Sequence, residues 1–249
     1  MDTARQLFME RHDRRQSVNV IAIIGAKGNS TRLPRKNSRR FNSEPLIGYT
    51  IQHAHQARTV NRVIVSTEDA EIVRIAKQYG AEVPFIRPVW LTDNQYHSEH
   101  IWTHALAEVE SMDSYRADWV VGLIPTYPLR ERGIIDLAVS TILDSDEEIG
   151  GCIVGQRTIR DLWTETEDGK FINLCNDIEF RSGQYRQPLY SVVEGLVTVM
   201  KADIVREGRR LSHEDNVKVI TPADPRSCLD IDTPFDFWIA EKSASWSEV

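Results

Sequence analysis

Hydrophobic positions along this chain come in two rhythms. Val18 to Ile24 is an almost unbroken apolar run, and Arg62 to Ser66, Glu82 to Ile86, Trp119 to Leu123 and Gly151 to Val154 are further runs of strand length. Short Val/Ile-rich runs bounded by turn residues predict strands. Between them, Pro45 to Ala57, Ser98 to Glu110 and Gly133 to Leu143 read as helices, and Ala70 to Tyr79 carries Ile72, Val73, Ile75 and Ala76 on one helical stripe. Strands that alternate with helices lie parallel and are joined by right-handed crossovers. The expectation is an α/β fold: a mainly parallel sheet flanked by helices, as one domain over 18–245. From Leu162 to Phe180 the rhythm changes. Here Asp168-Gly169, a hairpin-turn pair, is flanked by Trp163, Phe171, Ile172, Leu174 and Phe180. These apolar residues have little sheet of their own to cover, so a small β-rich excursion over 160–190 is expected to pack against a second copy of the chain.

Composition narrows the class. With 249 residues, 41% hydrophobic and 27% charged, the chain can bury one substantial core. No apolar run approaches the ~20 residues that span a bilayer. Residues 1–17 contain Asp2, Glu10 and Asp13 and lack the apolar core of an export signal, which predicts a charged extension and a cytoplasmic protein. Cys152, Cys175 and Cys228 form no C-x-x-C pair, the pattern of free thiols in a reducing compartment.

Charge is unevenly placed. The net charge is −7, yet no acidic residue occurs between Arg14 and Ser43. A patch this local on an acidic chain argues against nucleic acid as the main partner. Its centre is the loop Gly25 to Asn37, directly after the first apolar run. Ligands of open α/β sheets sit at the carboxyl ends of strands. Small residues there let backbone N–H groups face a polyanion, and Lys and Arg heads neutralise it. The loop matches neither G-x-G-x-x-G nor G-x-x-x-x-G-K-[ST], which excludes the standard dinucleotide and P-loop geometries. Arg35, Arg39 and Arg40 read as solvated surface charge. Far downstream, Leu229-Asp-Ile-Asp232 would place Asp230 and Asp232 on one side of an extended segment. Such a pair suits a magnesium ion completed by phosphate oxygens. The same residues also suit a helix start, with Asp232 or Thr233 as N-cap and Pro234 in the first turn, and both readings can hold together.

In the order of its motifs the chain resembles the acylneuraminate cytidylyltransferases, the CMP-sialic acid synthetase family. Ile23 to Asn37 is similar to that family's I-I-P-A-R-x-G-S-K-x-L-P-x-K-N, with Gly25, Lys27 and Thr31 in place of Pro, Arg and Lys. Ser30 to Pro34 reads S-T-R-L-P, the form favoured by related activators of Kdo acids. Glu44 to Ile51, Arg62 to Asp69, Gly80 to Pro88, Leu123 to Arg130 and Leu229 to Phe237 follow in the family's order, so the resemblance covers most of the chain.

The resemblance implies a Rossmann-like fold of the nucleotide-diphospho-sugar transferase type, a homodimer, and transfer of CMP from CTP to an anionic sugar acid with release of pyrophosphate. It implies a nucleotide held by Ala26, Gly28, Asn29, Ser30 and Thr31, with Pro125 and Thr126. The catalytic cations would be Lys27, Arg32 and Lys36, and Asp230 and Asp232 would hold Mg2+ or Mn2+. Arg130, Arg186, Gln187 and Glu194 would meet the acceptor. Two departures fall there: Ile124 stands for the family's Gln, and Glu194 stands where Asn would precede the Gly. They predict that N-acetylneuraminate is a poor substrate beside another acid of the sialic, pseudaminic, legionaminic or Kdo type, or a small phosphonate. A catalytically silent nucleotide-binding homologue is the alternative of a different class.

His97, His100 and His104 share one helix face, the spacing of a conceivable zinc site. A polar helix face or an anion contact is the preferred reading. Trp102, Trp119, Trp163 and Trp238 read as core or interface residues.

Overall fold

The structure is a computed structural model that describes residues 18–93, 95–158, 162–174 and 189–246. The expected extension over 1–17, Arg186, Gln187 and Cys175 lie outside the described residues, as does most of the excursion over 160–190.

β1 (Val20–Gly25) is the centre of the fold. Its side chains alternate strictly between two cores: Val20, Ala22 and Ile24 pack on one face of the sheet, Ile21 and Ile23 on the other. Burial on both faces is why the strand is a continuous apolar run. The short pair β2 (Arg40–Phe41) and β3 (Glu44–Pro45) leads into α1 (Leu46–Gln56), followed by β4 (Arg62–Ser66) and α2 (Ala70–Gln78). Next come α3 (Ser98–Met112), β5 (Trp119–Leu123), α4 (Ile134–Leu143) and β6 (Gly151–Thr158). The last part holds β7 (Trp163–Glu165), β8 (Phe171–Asn173), β9 (Leu189–Val192), β10 (Thr198–Lys201), α5 (Ala202–Arg206), β11 (Val217–Ile220) and α6 (Pro234–Ala244).

The main sheet runs β11-β6-β10-β5-β1-β4, with β9 paired to the far end of β6. β1 is parallel to β4 and β5, and β11 is parallel to β6, while β10 runs antiparallel between β5 and β6. Helices α1, α2 and α4 cover one face and α3 and α5 the other, through residues such as Ile51, Ile72 and Ile135 against Leu106 and Val205. The α/β expectation therefore holds. The expected strand over Glu82 to Ile86 shrinks to a single parallel bridge between Ile64 and Glu82. Pro84 and Pro88 lack the N–H donors that would extend the ladder. The hairpin is present: β7 pairs antiparallel with β8 around Gly169 at φ 77°, and Trp163 and Phe171 stand exposed on it.

Trp102 of α3 is fully buried against β5, where Gly122 leaves room for its indole; a Cβ there would lie 2.4 Å from the ring. Replacing Gly122 by Ala forces the largest buried side chain of this face out of place. The expected cost is ~1–3 kcal/mol, read as a lower urea midpoint with an unchanged m-value. An unchanged midpoint would show that the indole can shift freely.

Candidate active site

The loop after β1 is tied down before any ligand arrives. The amide of Ala26 donates to the Ser66 carbonyl at 3.0 Å, and that of Gly28 to Glu68 Oε1 at 2.7 Å. A Cβ on Gly28 would sit 2.3 Å from Asp69 Oδ2, so only glycine lets the loop close on the end of β4. Asp69 in turn caps α2, accepting from the amides of Glu71 and Ile72. Asn37 donates to the Lys27 carbonyl at 2.9 Å and closes the loop from its other end. Arg35, in the left-handed region at φ 56°, pairs with Glu71, and Arg39 lies 5.0 Å over the Phe237 ring, so neither is simply solvated charge. The amides of Ala26 and Gly28 are thus engaged within the protein.

Residues 229–232 are extended without joining a sheet. Ile231 donates its amide to the Thr126 carbonyl at 3.0 Å, and its side chain is buried with Leu33, Phe41, Leu46 and Phe237. Asp230 and Asp232 both face the other way and line one cleft, as the alternation requires. Asp232 accepts from Lys36 Nζ at 2.8 Å through one oxygen and meets Arg32 at 2.7 Å through the other. Lys36 also donates to the Ile231 carbonyl at 2.7 Å. Desolvation, and then the neighbouring Asp232, lift the Asp230 carboxyl above the usual carboxylate range against the opposing pull of Thr126, Lys36 and Tyr127. The helix start is real as well: Thr233 is the N-cap of α6 in a capping box with Asp236, and Pro234 opens the helix. Asp232 is left to the cleft.

The cleft, about 690 Å3, opens at the carboxyl ends of β1 and β5. It gathers most of the residues singled out from the sequence: Lys27, Ser30, Thr31, Arg32 and Lys36 from the loop, Pro125 and Thr126 after β5, and Glu194, Asp230 and Asp232. Ala26 is core, Asn29 is exposed, and neither these nor Gly28 lines the cleft. Arg130 is not an acceptor contact in this geometry. It is 2% exposed and donates to the carbonyls of Leu196 (2.7 Å) and Ile124 (3.2 Å) and to the Thr50 hydroxyl (3.2 Å), bracing the turn that carries Glu194. Burial pushes its guanidinium down from the ordinary arginine value.

Arg87, Asp93 and Tyr96 also line the cleft and were not singled out. Arg87 is 1% exposed and pairs with Glu68 at 2.5 Å, the same carboxylate that holds the Gly28 amide. Its only signal in the sequence is a charge inside the apolar stretch Val83 to Pro88. The three histidines part company. His97 precedes α3 and lines the cleft, His100 meets the edge of Tyr96, and His104 packs on Phe85. Among the described residues no group of three or more His, Cys, Asp or Glu side chains could hold a metal ion. Cys152 and Cys228 are free thiols, and no helix among the described residues is long and apolar enough to cross a membrane.

Fold and cleft together define a nucleotidyltransferase of the α/β type. Residues 21–222 match the cytidylyltransferase family model, and the chain belongs to that family. A CMP-N,N'-diacetyllegionaminic acid synthase of Legionella pneumophila is 29% identical over 229 residues, 90% of this chain and 96% of that protein. A pseudaminic acid cytidylyltransferase of Campylobacter jejuni is 33% identical over 128 residues, 51% of this chain and 55% of that protein. The solved structure of a CMP:2-keto-3-deoxy-manno-octonic acid synthetase complexed with CTP superposes with a TM-score of 0.67 at 14% identity, covering 91% of this chain and 98% of that one. The family match ends before Asp230 and Asp232, so their place in the site rests on the geometry described above.

Glu194 is exposed as a residue, but its carboxyl meets that of Glu99, whose side chain is 12% exposed. Desolvation first, and then the Glu99 carboxylate, push the Glu194 carboxyl up to about 7 from an ordinary 4.5, against the lowering pull of Arg210. Between those two values the folded protein holds a proton that the unfolded chain has released, so this group's contribution to stability falls as pH rises. Glu194→Gln removes that loss. Its melting temperature relative to the unaltered protein should rise from about pH 5 to about pH 7 and level off above that. A difference that stays constant across this range would mean an ordinary carboxyl at position 194.

Proposed function

We propose that this protein transfers a cytidylyl group from CTP to the hydroxyl of an anionic sugar acid of the sialic, legionaminic, pseudaminic or Kdo type, releasing pyrophosphate. The observation that carries the reading is the pairing, in one cleft, of the loop cations Lys27, Arg32 and Lys36 with the same-face carboxylates Asp230 and Asp232. The family and the names of the relatives above point the same way.

The chain's own residues serve an in-line displacement at the α-phosphorus. The acceptor oxygen forms a new bond to phosphorus, the bond to the β-phosphate oxygen breaks, and one proton is released overall. Lys27, Arg32 and Lys36 neutralise the departing pyrophosphate, and Ser30 and Thr31 offer hydroxyl donors. Such a transfer depends on positioning and charge neutralisation and needs no covalent nucleophile. Asp230 and Asp232 present hard oxygen donors from two carboxylates, a set that fits Mg2+ or Mn2+ completed by phosphate and water. When bound, the ion would neutralise charge developing on phosphate oxygens. Arg32 and Lys36 already contact Asp232, so phosphate and carboxylate share these cations.

The test is divalent-cation-dependent release of pyrophosphate from CTP across a panel of sugar acids and small phosphonates. Asp230→Asn and Asp232→Asn should each lower turnover by orders of magnitude with the circular dichroism spectrum retained. Lys27→Ala should weaken CTP binding by a charge-assisted contact, ~1.5–3 kcal/mol by calorimetry. Binding of CTP without turnover on any acid would instead make the chain a silent nucleotide-binding homologue.

The exposed Trp163, Phe171 and Leu174 around the β7–β8 hairpin support a homodimer through this segment, in a cytoplasmic enzyme. Sedimentation should give a dimer, and Phe171→Glu should shift it toward monomer. A monomeric unaltered protein at micromolar concentration would reject the interface.

A further inference from the structure

Asp232 meets two cations that are held in very different ways. Lys36 reaches one of its oxygens at 2.8 Å from a side chain that is 12% exposed, and a second bond to the Ile231 carbonyl at 2.7 Å keeps it in place. Arg32 reaches the other oxygen at 2.7 Å from a side chain that is 67% exposed. The first contact belongs to the frame of the site. The second is a surface ion pair, weak because water screens it and a long side chain must be ordered to form it. Leu33, next to Arg32, is buried in the same small core as Ile231, next to Asp232. The Arg32 guanidinium can therefore leave Asp232 by turning its own side chain, with the loop backbone still anchored.

Two ligands would each break this pair. A divalent ion at Asp230 and Asp232 meets a carboxylate whose charge Arg32 and Lys36 already neutralise, and it must displace a cation to gain an oxygen. A triphosphate pulls from the other side, because Arg32 lines the same cleft as Lys27, Ser30 and Thr31 and a guanidinium binds phosphate oxygens as well as carboxylate. Once either ligand has broken the ion pair, the other no longer has to. Each therefore helps the other to bind, and linkage makes that help reciprocal.

We propose that the Arg32–Asp232 pair is a latch that couples the two ligands of the cleft: it keeps the nucleotide-free site weak for divalent cations, and a triphosphate opens it by drawing Arg32 away. The inference rests on the cytidylyl-transfer reading above and deepens it, since full metal affinity then appears only with nucleotide bound. It also gives two cations on one carboxylate separate tasks. Lys36 stays and Arg32 moves.

The experiment measures Mn2+ binding to the full chain by calorimetry, without nucleotide and with a CTP analogue whose α–β bridge is a methylene group. It compares Arg32→Gln with Arg40→Gln. Arg40 bonds the Ser43 carbonyl and does not line the cleft, so its variant removes the same charge from the same stretch and leaves the latch intact. Without nucleotide, Arg32→Gln should bind Mn2+ about fivefold tighter or more, the lower end of ordinary coupling between sites, while Arg40→Gln stays close to the unaltered protein. The gain in Mn2+ affinity that the analogue brings should shrink by the same factor in Arg32→Gln. A second measurement, binding of the analogue in EDTA, separates a direct contact from a change in the field of the loop. Asp232→Asn should tighten that binding by freeing Arg32, and the gain should be smaller in the Arg32→Gln background. Equal Mn2+ affinities of the two arginine variants, or an equal Asp232→Asn gain in both backgrounds, overturns the latch. Pyrophosphate release by the unaltered protein is followed in parallel. Turnover together with equal Mn2+ affinities removes the latch and leaves the transferase reading standing. A latch seen in both binding measurements, with no turnover on any acid, does the reverse.

Discussion

The ammonium of Lys36 joins two parts of the chain that lie 195 residues apart, through the Ile231 carbonyl and the Asp232 carboxylate. The basic loop after β1 sets Arg32 and Lys36 against Asp232, which meets them through its two oxygens. Because Lys36 is largely buried in this contact, the attraction is screened less than a surface ion pair would be. The tie closes the cleft on one side and fixes where the carboxylates stand relative to the cations.

The tie works because both of its ends are braced by apolar burial. Ile231 anchors in a small core with Leu33 and Phe41, so the loop, the β2–β3 pair and α6 close over one cluster. β1, buried on both faces, fixes the point at which the loop leaves the sheet. The Gly28 amide and the Arg87 guanidinium meet on Glu68, so the loop's backbone is set before a nucleotide enters. A site preorganised in this way spends less of its binding energy on ordering itself.

The side of the cleft that carries Glu194 is built on different physics. Glu194 sits on a turn whose carbonyls are gripped by the buried Arg130, and Gly195 there adopts φ 76° with Ile124 packed against it. A Cβ at Gly195 would lie 2.7 Å from Ile124, so the apolar side chain at 124 and the glycine at 195 are matched to each other. Ile124 is thus a packed part of this turn. That turn aims the next carboxyl at Glu99.

The sequence alone determined the features that are local or periodic. Alternation and helical stripes were enough for β1, β4, β5 and the four longer helices that follow them. The Asp168-Gly169 turn marked its hairpin, and the spacing of Asp230 and Asp232 put both on one side of an extended segment. Boundaries moved by only one or two residues, and α2 begins at Ala70 as expected because Asp69 caps it. What depended on distant partners could not be read. Glu82 to Ile86 carries the residue types of a strand, but Pro84 within it and Pro88 just beyond leave it only one bridge. Arg130 has the charge of a ligand contact, yet its guanidinium is turned to carbonyls, the Thr50 hydroxyl and the His53 ring beneath the site. Arg87 showed only as a charge inside an apolar stretch, and its pairing with Glu68 could not be read from that. Whether a charged side chain meets solvent, substrate or another buried group is decided by which segments the fold brings against it, and only the tertiary structure contains that information.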